Sequence, residues 1–175
     1  MLKSPSFNVS TVSDRELQIT RAFESSRQAV WDAMTKPELL KRWLFGPDGW
    51  SMTQCTEDQR VGGRFRWEWT KSTGESMAMT GVYSEIHPPA PGGGGGRIVR
   101  TETFEFGCAA QGGEQIGTLV LTEQPAGRSG KPRTLMTLTV LFPSKEALEA
   151  MVASGATSGM AAGYDRLEGI LTAAA

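Results

Sequence analysis

The sequence predicts an α+β domain in which a meander of antiparallel strands is closed by a C-terminal helix. Two observations carry that expectation. Residues 157–175 sort at helical period into two faces: Met160, Tyr164, Leu167 and Leu171 form one stripe with Ala156, Gly159, Gly163 and Ile170 beside it, and Ser158, Asp165, Glu168 and Thr172 lie opposite. Between Ser51 and Phe142, apolar residues instead alternate at period two, in short runs separated by Gly-, Pro- and Ser-containing turns. Strands that follow one another through short turns pair antiparallel.

The elements follow in order. Glu16 to Phe23 alternates and reads as a first strand, with Leu17 and Ile19 facing inward. Ser25 is the expected N-cap of a helix over 26–34, with Gln28 completing a capping box. Pro37 suits the first turn of a second short helix that ends near Trp43. Phe45 to Trp50 has turn chemistry. Six strands are then expected at 51–56, 64–70, 76–86, 97–106, 116–123 and 134–142. Strict alternation sets Phe65, Trp67 and Trp69 on one side of the second of these and Arg64, Arg66 and Glu68 on the other. Met77, Met79, Gly81 and Tyr83 share a face of the third. Ser144 caps a helix that Gly155 ends, and the terminal helix follows. Residues 1–15 are expected as a loose tail and 16–175 as one domain. The run HPPAPGGGGG, His87 to Gly96, is expected as a floppy hairpin loop.

Composition narrows the chemistry. A hydrophobic content of 39% and a charged content of 21% are ordinary for a globular domain. A net charge of −1 favours neither nucleic acid nor an anionic membrane as partner. No apolar run approaches the ~20 residues of a membrane helix. The start of the chain lacks the apolar core of a signal peptide. Cys55 and Cys108 make no disulfide framework, so a reduced cytoplasmic setting is expected. The single histidine, His87, lies before Pro88 and Pro89 with no partner motif for catalysis or zinc. No cofactor or metal is expected. The segment GRSGK at Gly127 to Lys131 lacks P-loop spacing.

Several segments carry a family resemblance: ITRAFESSRQAVWDAMTKPELLKRWLFG from Ile19 to Gly46, VGGRFRWEW, GVYSEIHPP, RIVRTETFEF and GMAAGYDRLEGIL. Together, over about Leu17 to Leu171, they resemble the SRPBCC (START/Bet v 1-like) superfamily, and within it the Activator of Hsp90 ATPase homologue-like branch. The resemblance implies a helix-grip fold, a curved antiparallel sheet wrapped around a long C-terminal helix, with two short helices closing one end. It also implies a cavity between sheet and helix. The glycine run looks like an insertion into the family pattern.

The implied function is binding of a small apolar or aromatic molecule in that cavity. Pockets of this kind are mostly apolar with a few polar groups. The expected lining residues are Trp67, Trp69, Met79, Tyr83, Phe104, Met160 and Tyr164. Tryptophan and tyrosine offer a ring plus one donor, and methionine adapts to shape. These same residues could simply fill the core. Glu102 shares a strand face with Phe104 and Phe106 and is the one candidate for a pocket carboxylate, which a cyclase- or hydrolase-like enzyme would use as acid or base. Arg64, Arg66 and Arg100 read as solvated strand charges. A third possibility is a protein-interaction module for a chaperone or other partner, in a stress-response setting, using Trp43, Leu44, Phe45 and Trp50. That possibility rests on fold-level analogy. A monomer or a homodimer is compatible with the sequence.

Overall fold

The computed structural model describes residues 6–106 and 109–174. Eight strands, β1 (Asn8–Thr11), β2 (Glu16–Phe23), β3 (Trp50–Glu57), β4 (Arg64–Lys71), β5 (Ser76–His87), β6 (Arg97–Phe106), β7 (Ala109–Gln124) and β8 (Arg133–Leu141), form one sheet. Its order is β1-β2-β8-β7-β6-β5-β4-β3, with every neighbouring pair antiparallel. Helices α1 (Arg27–Thr35) and α2 (Pro37–Trp43) connect β2 to β3, and α3 (Lys145–Ala153) and α4 (Ala156–Ala173) follow β8. The α+β helix-grip architecture expected from the sequence is the one observed.

The differences are local. The stretch expected as a loose tail contains β1, which pairs with β2 from Asn8↔Thr20 to Thr11↔Leu17. The first helix is capped by Ser26, one residue later than expected; its hydroxyl accepts from the Ala29 N–H at 3.2 Å. Gln28 reaches Asp32 instead of closing a capping box. Strand β7 starts well before Ile116, because Gly112 and Gly113, both at positive φ, form a bulge and do not end the strand. Ser144 caps α3 as expected, and Gly155 adopts the left-handed conformation between α3 and α4.

The glycine run is held, not floppy. Arg27, at the start of α1, is 6% exposed. Its Nη1 donates to the carbonyls of Gly93 at 3.0 Å and Gly95 at 3.4 Å, and its Nη2 donates to Ala90 at 3.1 Å. Glu123 lies 3.7 Å from its Nε. A guanidinium presents several donors in a fixed fork, so one side chain can gather carbonyls that a side-chain-free segment cannot organise alone.

Helix α4 is attached from Gly163 onward. Gly163, Tyr164, Leu167 and Leu171 are buried there. The buried Arg21 of β2 donates to Asp165 at 2.7 Å, and the Glu24 N–H donates to Glu168 at 3.3 Å. None of residues 156–162 is buried. An alanine at position 27 should lower stability by about 1–3 kcal/mol in urea unfolding, because it removes charged donors from three carbonyls. It should also speed hydrogen exchange at the Ala90 and Gly96 amides. Unchanged stability and exchange would show that the glycine run holds its path without Arg27.

Candidate functional site

The site grows from strand alternation. On β4, Phe65, Trp67 and Trp69 point to the face covered by α4. Antiparallel register carries that face across the sheet: Trp67 opposes Met79 of β5, and Met79 opposes Phe104 of β6. Tyr83 joins through Phe65, whose ring centroid lies 5.5 Å from its own. Phe65 and Trp67 lie 5.0 Å apart, and Trp67 and Trp69 meet edge to face at 6.3 Å. Aromatic pairs favour such tilted and edge arrangements over face-to-face stacking.

A charged cluster lies within this aromatic face. Alternation along β6 places Ile98, Arg100, Glu102 and Phe104 on one side. The Arg100 guanidinium sits 4.8 Å from the Phe65 ring centroid and 4.7 Å from that of Trp67. Its Nε donates to Glu102 Oε1 at 3.0 Å, and Gln115 Nε2 of β7 donates to Glu102 Oε2 at 2.9 Å. The two side chains are 15% and 6% exposed. Gly117, opposite Arg100 in register, leaves the room: a Cβ there would lie 2.5 Å from Glu102 Oε1. On the other flank, Glu57 at the end of β3 accepts from Trp67 Nε1 at 2.7 Å and from the Tyr83 hydroxyl.

The electrostatics follow from burial. Desolvation pushes the Glu57 carboxyl above its usual range, and the bonds from Tyr83 and Trp67 and the Arg100 charge only partly offset it. Burial raises the Tyr83 and Tyr164 hydroxyls well above the ordinary phenol value, with the Arg100 charge opposing in both. Arg100 itself is held above its ordinary value: burial works against its charge, and the neighbouring Glu102, Tyr83 and Glu57 outweigh it. Burial and then the Glu57 charge push the Cys55 thiol up to about 11, which leaves it a poor nucleophile.

All five expected sheet residues share the inner face. Trp67, Trp69, Met79 and Tyr83 are 3–6% exposed, and Phe104 is half-buried. Tyr164 is buried, but its ring partners are Phe7, Phe23 and Trp43 at 5.8–6.2 Å, toward α2 and β2. Met160 is half-buried in the first half of α4. Of the two expected helix glycines, Gly163 faces Trp43, where a Cβ would make ordinary contact at 3.7 Å, and Gly159 has nothing within 4 Å. Two concavities lie elsewhere. One of about 430 Å³ sits on the outer sheet face among Arg64, Arg66, Thr80 and Thr103, and one of about 390 Å³ sits between Thr11, Leu148 and Val152. Neither is lined by any of the seven expected residues.

One expectation changes, and two residues without one join the cluster. Arg100 is not a solvated strand charge; the alternation that singles out Glu102 brings Arg100 to the same face. Strand periodicity does not single out Glu57 or Gln115, since Glu57 lies one residue beyond the expected end of its strand and Gln115 precedes the expected start of another. Arg66 does remain partly solvated, paired with Glu68 at 3.2 Å and Glu105 at 3.3 Å. The aromatic turn after α2 folds into the rim: Trp43 Nε1 donates to Ala33 at 2.9 Å, Trp69 Nε1 donates to the Leu44 carbonyl at 2.6 Å, and Arg166 stacks 4.1 Å above Phe45. His87 is exposed, 3.7 Å from Glu85. Among the described residues, no three His, Cys, Asp or Glu side chains converge on a metal position, and no helix is long and apolar enough to cross a membrane. Cys108 lies outside the described residues.

Glu57 supplies a pH test. A carboxyl whose folded pKa exceeds its unfolded one contributes stability that is full at low pH and is lost as pH rises through the folded value. Relative to Glu57→Gln, the native protein should therefore lose unfolding free energy as pH rises above the ordinary glutamate value of about 4.3. A constant difference would mean that burial leaves the Glu57 carboxyl unshifted, and one that grows with pH would mean that Glu57 is held charged.

Comparison with known proteins adds the family. The sequence profile of the Activator of Hsp90 ATPase homolog 1-like protein family matches residues 24–172. No curated protein matches. A crystal structure of a Rhodobacter sphaeroides protein is similar at 29% identity and a TM-score of 0.83, over 96% of this chain and 99% of the other. An Arthrobacter aurescens protein solved in solution shares 23% identity and a TM-score of 0.76, over 96% and 91% of the two chains. A Mycobacterium smegmatis protein shares 21% identity and a TM-score of 0.76, over 95% and 97%. The chain, with its helix-grip fold, belongs to the Activator of Hsp90 ATPase homolog 1-like family of the SRPBCC superfamily.

Proposed function

We propose that this protein binds a small apolar or aromatic molecule between the inner sheet face and the first half of α4. The observation that carries the reading is the Arg100–Glu102 pair set into an aromatic face. A buried ion pair contributes little net stability, and an apolar pair of similar volume would serve the core as well. Charged clusters of this kind concentrate at functional sites.

The way in is the half-buried rim of Met77, Phe104 and Met160. No residue from 156 to 162 is buried, and a side chain at Gly159 would meet open space. The deeper residues are closely packed, so a guest enters by moving the rim. Methionine, with three rotatable bonds, is suited to that. Within this reading, Trp67, Trp69, Met79, Tyr83, Phe104, Met160 and Tyr164 surround the guest, Arg100 and Glu102 orient it, and the protein acts in the cytoplasm as a monomer or homodimer. Each Glu102 oxygen already takes a protein donor, which suits an anchor better than an acid or base. The rim packing of Trp43 and Phe45 gives no support to a chaperone-docking patch.

N-phenyl-1-naphthylamine, an uncharged dye that brightens in apolar sites, tests the proposal. Saturable enhancement at one site is expected. Met160→Ala should weaken it about five- to tenfold through lost apolar contact, and Val152→Ser, in the groove beside α3, should leave it unchanged. Trp67 is a poor probe, because removing so packed a ring costs about 3–5 kcal/mol of fold. No saturable enhancement, or enhancement sensitive to Val152 and not to Met160, would overturn the reading.

A further inference from the structure

The charged cluster also restricts what the guest can be, an inference that rests on the small-molecule reading above. Each of the four carboxylate oxygens already accepts one protein donor: Glu57 from Trp67 and Tyr83, Glu102 from Arg100 and Gln115. No oxygen of the two carboxylates is therefore without a donor, although each keeps a second lone pair. Arg100 differs. Its bond to Glu102 uses Nε, and among the described residues the guanidinium's remaining N–H groups meet no carboxylate or carbonyl; one of them bonds the Tyr83 hydroxyl, which leaves the others for a guest. Arg100 is also the more accessible partner, 15% exposed against 6% for Glu102.

Charge then decides. One guanidinium already faces two carboxylates. An anionic guest would bring a third negative charge to that single cation, in surroundings where like charges interact strongly. A cationic guest would meet Arg100 itself and find no carboxylate oxygen without a donor. A guest with no polar atom would leave the spare guanidinium donors cut off from water. We infer that the site selects an uncharged apolar molecule bearing a hydrogen-bond-accepting oxygen, with Arg100 as the selecting group. The apolar body lies against Trp67 and Phe104, and the oxygen takes a charge-assisted hydrogen bond from Nη1 or Nη2.

Four molecules of one shape test this: 2-acetylnaphthalene, 2-ethylnaphthalene, 2-naphthoate and 2-naphthylmethylammonium, titrated calorimetrically into the full chain at pH 7. The acetyl compound should bind about tenfold or more tighter than each of the others, the size of one hydrogen bond to a charged donor. Arg100→Met should bring the acetyl and ethyl affinities within about threefold of each other. Arg100→Met leaves two buried carboxylates without their cation; circular dichroism reports whether it folds, and the double variant Arg100→Met with Glu102→Gln replaces it if it does not. Equal or tighter binding of the naphthoate or the ammonium compound overturns the inference and leaves small-molecule binding intact. An acetyl preference that survives the loss of Arg100 also overturns it. Binding of none of the four overturns the binding reading itself, and the inference with it.

Discussion

The interaction on which the inner face depends is the Arg100 guanidinium lying across Phe65 and Trp67 with Glu102 at its Nε. A charge under a helix in an aromatic layer is tolerated only with a carboxylate close by and hydrogen bonds around it. The surroundings follow from that requirement. Gln115 takes the second Glu102 oxygen, Gly117 gives up a side chain so that the carboxylate fits, and Glu57 sets a second negative charge within range. Trp67 and Tyr83 spend their donors on Glu57, which fixes two large rings in place. A single buried cation thus accounts for residues on β3, β4, β5, β6 and β7.

Helix α4 completes the arrangement unequally. Its second half is tied down by Arg21 to Asp165, by Tyr164 among Phe7, Phe23 and Trp43, and by Arg166 donating to the carbonyls of Trp43 and Gly46 at 3.0 and 2.8 Å. None of its residues before Gly163 is buried. Secure anchoring at one end and sparse packing at the other is how a fold keeps one region easy to open without lowering the stability of the whole. Met160, half-buried, lies at the sparsely packed end.

Much of the fold was legible in the sequence because periodicity is a direct physical signal. The alternation of Phe65, Trp67 and Trp69 and the stripe of Met160, Tyr164, Leu167 and Leu171 each assign a face without further information. Less was legible where tertiary contacts override local chemistry. Gly112 and Gly113 look like a turn and form a bulge, since strand pairing resumes on both sides. Five glycines in a row look unrestrained, and only the fold brings Arg27 to their carbonyls. Arg100 resembles any surface strand arginine until its parity with Glu102 is weighed against the tendency of charges to stay in water. Glu57 was hidden by a boundary error of one residue.

The central claim is that the space between the inner sheet face and the first half of α4 admits a guest. Methionine-methyl NMR of the protein titrated with 2-acetylnaphthalene addresses it most directly, because methionines stand at that space and also on α1 and β8. Saturable shifts at Met77, Met79 and Met160, with Met34 and Met136 unmoved, are the predicted result. Shifts confined to other methionines, or none at all as ligand is raised to its solubility limit, would contradict the account.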